Sequence, residues 1–330
     1  MMLICFGTRP EYIKISPLLK SFAGKVEHKL LFTGQHTDLL KNLPADIRRL
    51  KISDGGNRLD SIVQSILNHE KIFEGIDSIL VQGDTTSVFA LALAAFHRRI
   101  EIIHLEAGLR TYDKKNPYPE EFNRQAVSRM ADIHLCPTEH AAENLRREGI
   151  CSGVYVSGNT VLDNLRDVET SYGNLVVVTM HRRENHHWMD KWFSEIDSLA
   201  AQYPDYEFIL PLHPNPNVQK WSHLLKHVKV VKPIEYNDFI GLLAKCRLII
   251  TDSGGIQEES SFFKKKCIVC RKTTERGEGV GTFAFLCEYP NKLPLLFEQL
   301  SADYIPVGEC PYGDGYAAEK ILRYLSEQGF

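Results

Sequence analysis

The 330 residues hold no apolar stretch near the ~20 that a membrane-spanning helix needs; the longest candidate, Val88 to Phe96, reads as a buried helix segment. There is no excess of one charge. Lys and Arg number 39 and Asp and Glu 42, a formal net charge of -3. That balance argues against a non-specific nucleic-acid binder and leaves room for a small anion held by a few placed arginines. The composition of disorder is missing too, since 43% hydrophobic and 25% charged residues are those of a globular chain. The opening Met1-Met2-Leu3-Ile4-Cys5-Phe6-Gly7 has neither a basic leader nor a small-residue cleavage site and reads as a strand. No Gly-x-Gly-x-x-Gly follows it, so a dinucleotide cofactor has no support. His-Glu-x-x-His and paired Cys-x-x-Cys motifs are also lacking, and the adjacent His186-His187 chelates poorly on a regular element, so no metal is expected. Eight cysteines scattered over both halves suit the reduced, buried thiols of a cytoplasmic protein. Cys267 and Cys270 lie inside an apolar strand, where packing explains them.

What is present is one repeated unit: a short β-branched run, a turn, an amphipathic stretch. Strands are expected at 2–6, 29–33, 78–82, 101–105, 133–137 and 154–157, then at 175–180, 207–212, 228–231, 248–251 and 267–270. Helical patterns fall between them at 12–21, 61–73, 87–97, 122–131 and 140–148, then at 191–202, 239–245, 256–263 and 316–327. Continuous apolar strands alternating with helices indicate parallel sheets covered on both faces. The length suggests about two domains. A helix-like segment over 159–174 is read as the hinge, giving domains 1–170 and 171–315 facing each other across a cleft. In such sheets ligands sit beyond the carboxyl ends of the strands.

The unusual residues fall at those ends. Gly7-Thr8-Arg9-Pro10-Glu11 brings Arg9, and Lys14 one turn later, to a helix start, either as an anion site or as solvated charges on an ordinary turn. Gly83-Asp84-Thr85-Thr86 closes an apolar strand, with Asp84 either capping the next helix or serving as an acid. Glu106 follows another strand, and Glu120 and Glu121 open a helix, where the macrodipole also favours acids. Clustered carboxylates raise one another's pKa, which makes a general acid or base near neutrality. His181 and His213 end successive strands in the second half and are placed either to shuttle protons or to serve structure. In Asp252-Ser253-Gly254-Gly255-Ile256-Gln257-Glu258-Glu259 a strand ends, glycines bare their N–H groups and a helix begins, which is how a diphosphate cradle is built. Glu258 and Glu259 sit within reach of a nucleotide's sugar, and Arg271 and Arg276 follow the next strand.

Taken in order, Gly7-Thr8-Arg9-Pro10-Glu11-x-x-Lys14, Gly83-Asp84-Thr85-Thr86, His104-x-Glu106-Ala107-Gly108-Leu109-Arg110, Pro119-Glu120-Glu121-x-Asn123-Arg124, Gly158-Asn159-Thr160, His181-Arg182-Arg183-Glu184, Asp252-Ser253-Gly254-Gly255-x-Gln257-Glu258-Glu259, Thr273-Thr274-Glu275-Arg276 and Pro311-Tyr312-Gly313-Asp314-Gly315 resemble the non-hydrolysing UDP-N-acetylglucosamine 2-epimerases. The resemblance covers nearly the whole chain. It implies a glycosyltransferase-B-like α/β fold of two Rossmann-like domains, with the last helix, 316–330, packing back on the first. It implies Asp84, Glu106, Glu120 and His181 as catalytic residues. Arg9, Lys14, Phe239, Ser253, Gly254, Gly255, Glu259 and Arg276 are implied as substrate contacts, and the strand-end position of His213 adds it to them.

The implied chemistry is reversible inversion at carbon 2 of UDP-N-acetylglucosamine to give UDP-N-acetylmannosamine. UDP is eliminated to leave 2-acetamidoglucal and is then re-added, with no cofactor, in a cytoplasmic homodimer that binds neither nucleic acid nor membrane. The rivals are a UDP-sugar transferase on the same fold and a 2-epimerase of a related diacetamido sugar. The chain departs from the family in three places. Thr37-Asp38 after Gln35-His36 puts negative charge where a regulatory second nucleotide would lie, Ile234 stands where some members use Gln, and His186-His187 replaces small residues.

Overall fold

The structure, a computed structural model, describes residues 1–34, 47–52, 56–302 and 305–330; the Gln35–Asp38 departure lies outside the described residues. Two compact units divide the chain, Met1–Asn164 with Gly313–Phe330, and Leu165–Tyr312. These limits fall a few residues before those read from sequence, and side chains explain where they fall. Asn164 Nδ2 donates to the Ile13 carbonyl at 3.0 Å, which keeps residues up to 164 on the first unit. Tyr312 donates its hydroxyl to the Arg276 carbonyl at 2.9 Å and accepts from Gly279 N at 3.2 Å, which ties it to the second. The expected helix over 159–174 is only a 3-10 turn at Thr160–Asn164.

The first unit runs β1 (Met2–Phe6), α1 (Arg9–Phe22), β2 (His28–Phe32), β3 (Arg48–Arg49), α2 (Arg58–Leu67), β4 (Ser78–Gln82), α3 (Thr86–His97), β5 (Glu101–Leu105), α4 (Glu120–Met130), β6 (Ile133–Cys136), α5 (Glu139–Arg147) and β7 (Val154–Val156). Among the described residues its seven strands pair in parallel in the order β3-β2-β1-β4-β5-β6-β7. β1 and β4 are buried at every position, as strands covered on both faces must be. Thr8 and Glu11 form a capping box that starts α1. Pro17 inside α1 offers no N–H to the Ile13 carbonyl; Asn164 Nδ2 and Ser16 Oγ, the latter at 2.9 Å, donate to it instead. The final helix, α11 (Ala317–Glu327), packs on this unit through Ala318, Ile321 and Leu325. Its first amides, Ala317 N and Ala318 N, donate to Asp163 at 3.0 and 2.8 Å, a cap supplied 154 residues away.

The second unit runs β8 (Leu175–Thr179), α6 (Met189–Gln202), β9 (Glu207–Pro211), α7 (Pro216–Gln219), β10 (Lys229–Val231), α8 (Tyr236–Lys245), β11 (Leu248–Thr251), α9 (Gly254–Phe262), β12 (Lys266–Val269), β13 (Ala284–Leu286) and α10 (Leu293–Ser301). The parallel order is β10-β9-β8-β11-β12-β13. Sequence reading missed β13, only three residues long, and α10, which has no capping side chain of its own. Buried Lys266 supplies the far end of α10, donating to the carbonyls of Leu300 at 2.7 Å and Ala302 at 3.0 Å. In both sheets the order reverses beside the first strand of the unit, between β1 and β4 and between β8 and β11. Such a switch point opens a crevice at the strands' carboxyl ends.

Candidate active site

In the first unit that crevice is lined by charge. Arg9, half-buried, is the first residue of α1, and Lys14 sits one turn on. Lys14 Nζ lies 2.6 Å from each carboxylate oxygen of Glu106, where β5 has ended, and the Gln82 amide donates to the same carboxylate. Glu106 takes a left-handed backbone, φ 66°, a strained conformation for a residue with a Cβ and one that functional sites often store. Gly83 takes the left-handed backbone, φ +79°, that favours glycine at this turn. The end of β4 is clasped to β5 twice. Gly83 N donates to the Leu105 carbonyl at 3.0 Å, and the buried His104 Nε2 lies 2.8 Å from the Gly83 carbonyl. Because a carbonyl only accepts, His104 carries its proton on Nε2. Burial keeps that imidazole neutral, its pKa pushed down to about 3.

Asp84 accepts from Arg124 Nη2 at 2.6 Å, and Asn123 Nδ2 donates to the Asp84 carbonyl at 2.9 Å. Both partners come from α4, whose first residue is the half-buried Glu120. Glu121, fully buried, takes the backbone N–H groups of Thr111 and Tyr112 at 3.0 Å each and lies 3.4 Å from Arg124 Nη1. Arg124 therefore stands between two carboxylates, Asp84 and Glu121, and helical spacing puts Glu120 on the side of Asn123 and Arg124 as well. A small pocket bounded by Lys14, Gln82, Glu106, Gly158 and Thr160 lies at these strand ends. Thr160 donates its hydroxyl to the Lys14 carbonyl at 2.6 Å, so the Gly158-Asn159-Thr160 run braces the lysine. The roles of Gln82, Asn123, Arg124 and Thr160 were missed in sequence. The positions of Asn123, Arg124 and Thr160 within the ordered motifs, and of Gln82 directly before one, were the available signal.

In the second unit the switch point holds His181 after β8 and Asp252 after β11. Asp252 is fully buried and accepts from His181 N at 3.0 Å, Arg182 N at 2.9 Å and Asn185 Nδ2 at 3.1 Å. His181 Nδ1 lies 3.3 Å from Asp252 Oδ1. The His181 ring stacks on His213, centroids 5.3 Å apart and planes 17° apart. Burial holds the His181 pKa below the usual imidazole value; the Asp252 charge opposes this, and Arg182, His213 and His186 add to it. Burial, with help from His186, likewise lowers His213 against the pull of Asp252.

Ser253 precedes α9, and Gly254 and Gly255 form its first turn. A Cβ at Gly254 would lie 2.6 Å from Arg276 Nη1, whereas at Gly255 nothing lies within 4 Å. Gly254 therefore exists so that a guanidinium can press against the helix N-terminus. Arg276 is held there by Glu258 at 2.6 Å and by Glu275. Helix N–H groups and a guanidinium at one point favour an anion. Open space at Gly255 leaves that approach clear. Glu259 accepts from the Tyr236 hydroxyl at 3.0 Å on α8, and the half-buried Phe239 lies one turn further along that helix. Burial and the Glu259 charge push the Tyr236 pKa well up, so this phenol stays a donor. Asp252 and Tyr236 were not singled out as site residues, and Glu258, expected near the sugar, is instead fully buried and holds Arg276.

The family model for UDP-N-acetylglucosamine 2-epimerase matches residues 20–326. A UDP-N-acetylglucosamine 2-epimerase of Campylobacter jejuni is 37% identical, the alignment covering 98% of this chain and 97% of the relative. The crystal structure of UDP-GlcNAc 2-epimerase from Neisseria meningitidis, bound to UDP-GlcNAc, superposes with a TM-score of 0.89 at 34% identity, covering 99% of each chain. MurG from Acinetobacter baumannii, at 11% identity and a TM-score of 0.59 over 99% of this chain and 98% of its own, shares the fold alone. These likenesses show two parallel-sheet domains of the glycosyltransferase-B-like class, and the match of motif, sequence and fold over almost the full length shows that the chain belongs to the UDP-N-acetylglucosamine 2-epimerase family.

Proposed function

We propose that the protein interconverts UDP-N-acetylglucosamine and UDP-N-acetylmannosamine as a non-hydrolysing 2-epimerase. The observation that carries this is the Glu106 carboxylate, held by Lys14 and Gln82 at a strained turn beside the Asp84–Arg124 pair. Inversion needs the carbon 2 proton removed from one face and returned on the other. A base takes that proton, the bond from carbon 1 to the diphosphate oxygen breaks, and UDP leaves with both electrons of that bond. 2-Acetamidoglucal remains. Protonation of carbon 2 on the opposite face and re-attack by the diphosphate oxygen on carbon 1 complete the cycle. Asp84, Glu106 and Glu120 supply the proton-transfer groups. Arg9, Arg276 and the Ser253–Gly255 amides take the charge that develops on the diphosphate. His181 donates to or clamps the leaving phosphate, His213 packs beside it, and Phe239 and Glu259 contact the nucleoside.

The test is proton NMR of UDP-N-acetylglucosamine incubated alone with enzyme in deuterated water. The expected product is the manno isomer carrying deuterium at carbon 2. A product that keeps its original hydrogen rules out exchangeable acid–base groups. No isomer without an added acceptor points to a transferase.

We assign the working form as a homodimer in the cytoplasm, where reduced thiols persist. Phe89, Leu93 and Phe96 fall at helical spacing along the outward face of α3. Phe96 is 55% exposed, and Phe122 of α4, 49% exposed, lies beside Phe89 with ring centroids 5.9 Å apart. A contiguous apolar face of this kind marks an interaction surface. Light scattering should give twice the 37.6 kDa chain mass for wild type and the single mass for Phe96→Glu. A monomeric wild type would end this assignment.

A further inference from the structure

Glu11 has no role in the chemistry above, yet its side chain touches both halves of the first unit's crevice. It is buried, 3% exposed. Oε2 accepts from Gly7 N at 2.7 Å and Thr8 N at 2.6 Å; Oε1 accepts the Thr85 hydroxyl at 2.8 Å. The first two bonds belong to the start of α1, where a capping box needs only a single acceptor at this position. The third leaves the helix. Thr85 lies 74 residues further along, caps α3 by accepting from Val88 N at 3.3 Å, and directly follows Asp84. One carboxylate thus bonds to the turn that carries Arg9 and to the turn that carries Asp84, on either side of the β1–β4 switch point. An ionised carboxylate accepts from all three donors at once because it has no hydrogen of its own. Burial raises the pKa of this group, and the bonds from Gly7, Thr85 and Thr8 pull it back.

We propose that Glu11 is a positioning residue for the epimerase reaction, holding the Arg9 turn and the Asp84 turn in one rigid frame through Thr85. The inference rests on the 2-epimerase reading. Misplacing reacting groups by about 1 Å costs on the order of a hundredfold in rate. Loosening one of the three bonds is therefore expected to cost about tenfold in kcat.

Thr85→Val removes the hydroxyl and keeps the shape, Thr85→Ser keeps the hydroxyl, and Glu11→Gln keeps the volume and removes the charge. The expected pattern is kcat about tenfold down in Thr85→Val and Glu11→Gln, KM within about threefold of wild type, and near-complete rescue in Thr85→Ser. The double variant should be no slower than the slower single one, because both act through one bond. A capping loss alone would lower the urea midpoint and leave kcat of the folded enzyme unchanged. Amide exchange in the ligand-free protein gives a readout independent of turnover: Gly7 and Thr8 should exchange at least tenfold faster in Glu11→Gln. Wild-type kcat in Thr85→Val, or losses that multiply in the double variant, would overturn the positioning role alone. Absence of epimerisation by wild type would remove the 2-epimerase reading and this role with it.

Discussion

In the Glu106→Gln variant, epimerisation is expected to slow by about a hundredfold or more, the scale of lost acid–base help. The amide keeps the size of the side chain but neither takes up nor releases a proton. It also leaves the Lys14 ammonium facing a dipole where two oxygens at 2.6 Å now share its charge. The pair is largely buried, with side-chain exposures of 14% and 7%, and breaking a buried pair typically costs about 3–5 kcal/mol of stability. Rates are therefore compared on protein shown to be folded by circular dichroism. Asp84→Asn should show a loss of similar size, because it replaces the carboxylate that Arg124 holds with a neutral amide that neither takes up nor releases a proton. Turnover close to wild type in the Glu106 variant would reduce that residue to a structural partner of Lys14.

Asp252→Asn should have the second large effect, a fall in kcat of about a thousandfold. Three donors now converge on the Asp252 carboxylate from the segment that carries His181. An Asn has one acceptor oxygen and adds a donor of its own, so it both loosens that segment and presents an N–H where His181 Nδ1 now meets an anion. Losing the anion that fixes a catalytic imidazole is known to cost as much as about ten-thousandfold. The pH profile separates this from simple unfolding. Asp252 favours the imidazolium form of His181 against burial, so removing its charge moves the His181 titration to lower pH. If His181 works as the neutral base, the acid limb of the rate profile shifts down; if it works as the acid, the alkaline limb shifts down. A profile that keeps its shape and position while kcat falls would show that Asp252 does not act through His181.

The repeating strand–helix units, the parallel sheets and the placement of unusual residues at strand ends were legible in the chain itself. β-branched runs covered on both faces have a pattern that needs no tertiary information, and strands 78–82 and 101–105 end where expected. Arg9, Asp84, Glu106, His181 and Ser253-Gly254-Gly255 follow β1, β4, β5, β8 and β11, so local pattern alone brought them to one edge of their sheets. Which of them meet was decided by tertiary structure. Lys14 reaches Glu106 across 92 residues, Arg124 reaches Asp84 across 40, and the His181 amide reaches Asp252 across 71. Each pairing follows from strand order, with β4 lying between β1 and β5 and β8 lying beside β11, and a helix pattern between two strands does not encode which strands become neighbours. The same reason hid α10 and the cap of α11. Their terminal groups are satisfied by Lys266 and Asp163, side chains remote in sequence. Local periodicity determines where an element can form; only the assembled sheet determines which distant side chain completes it.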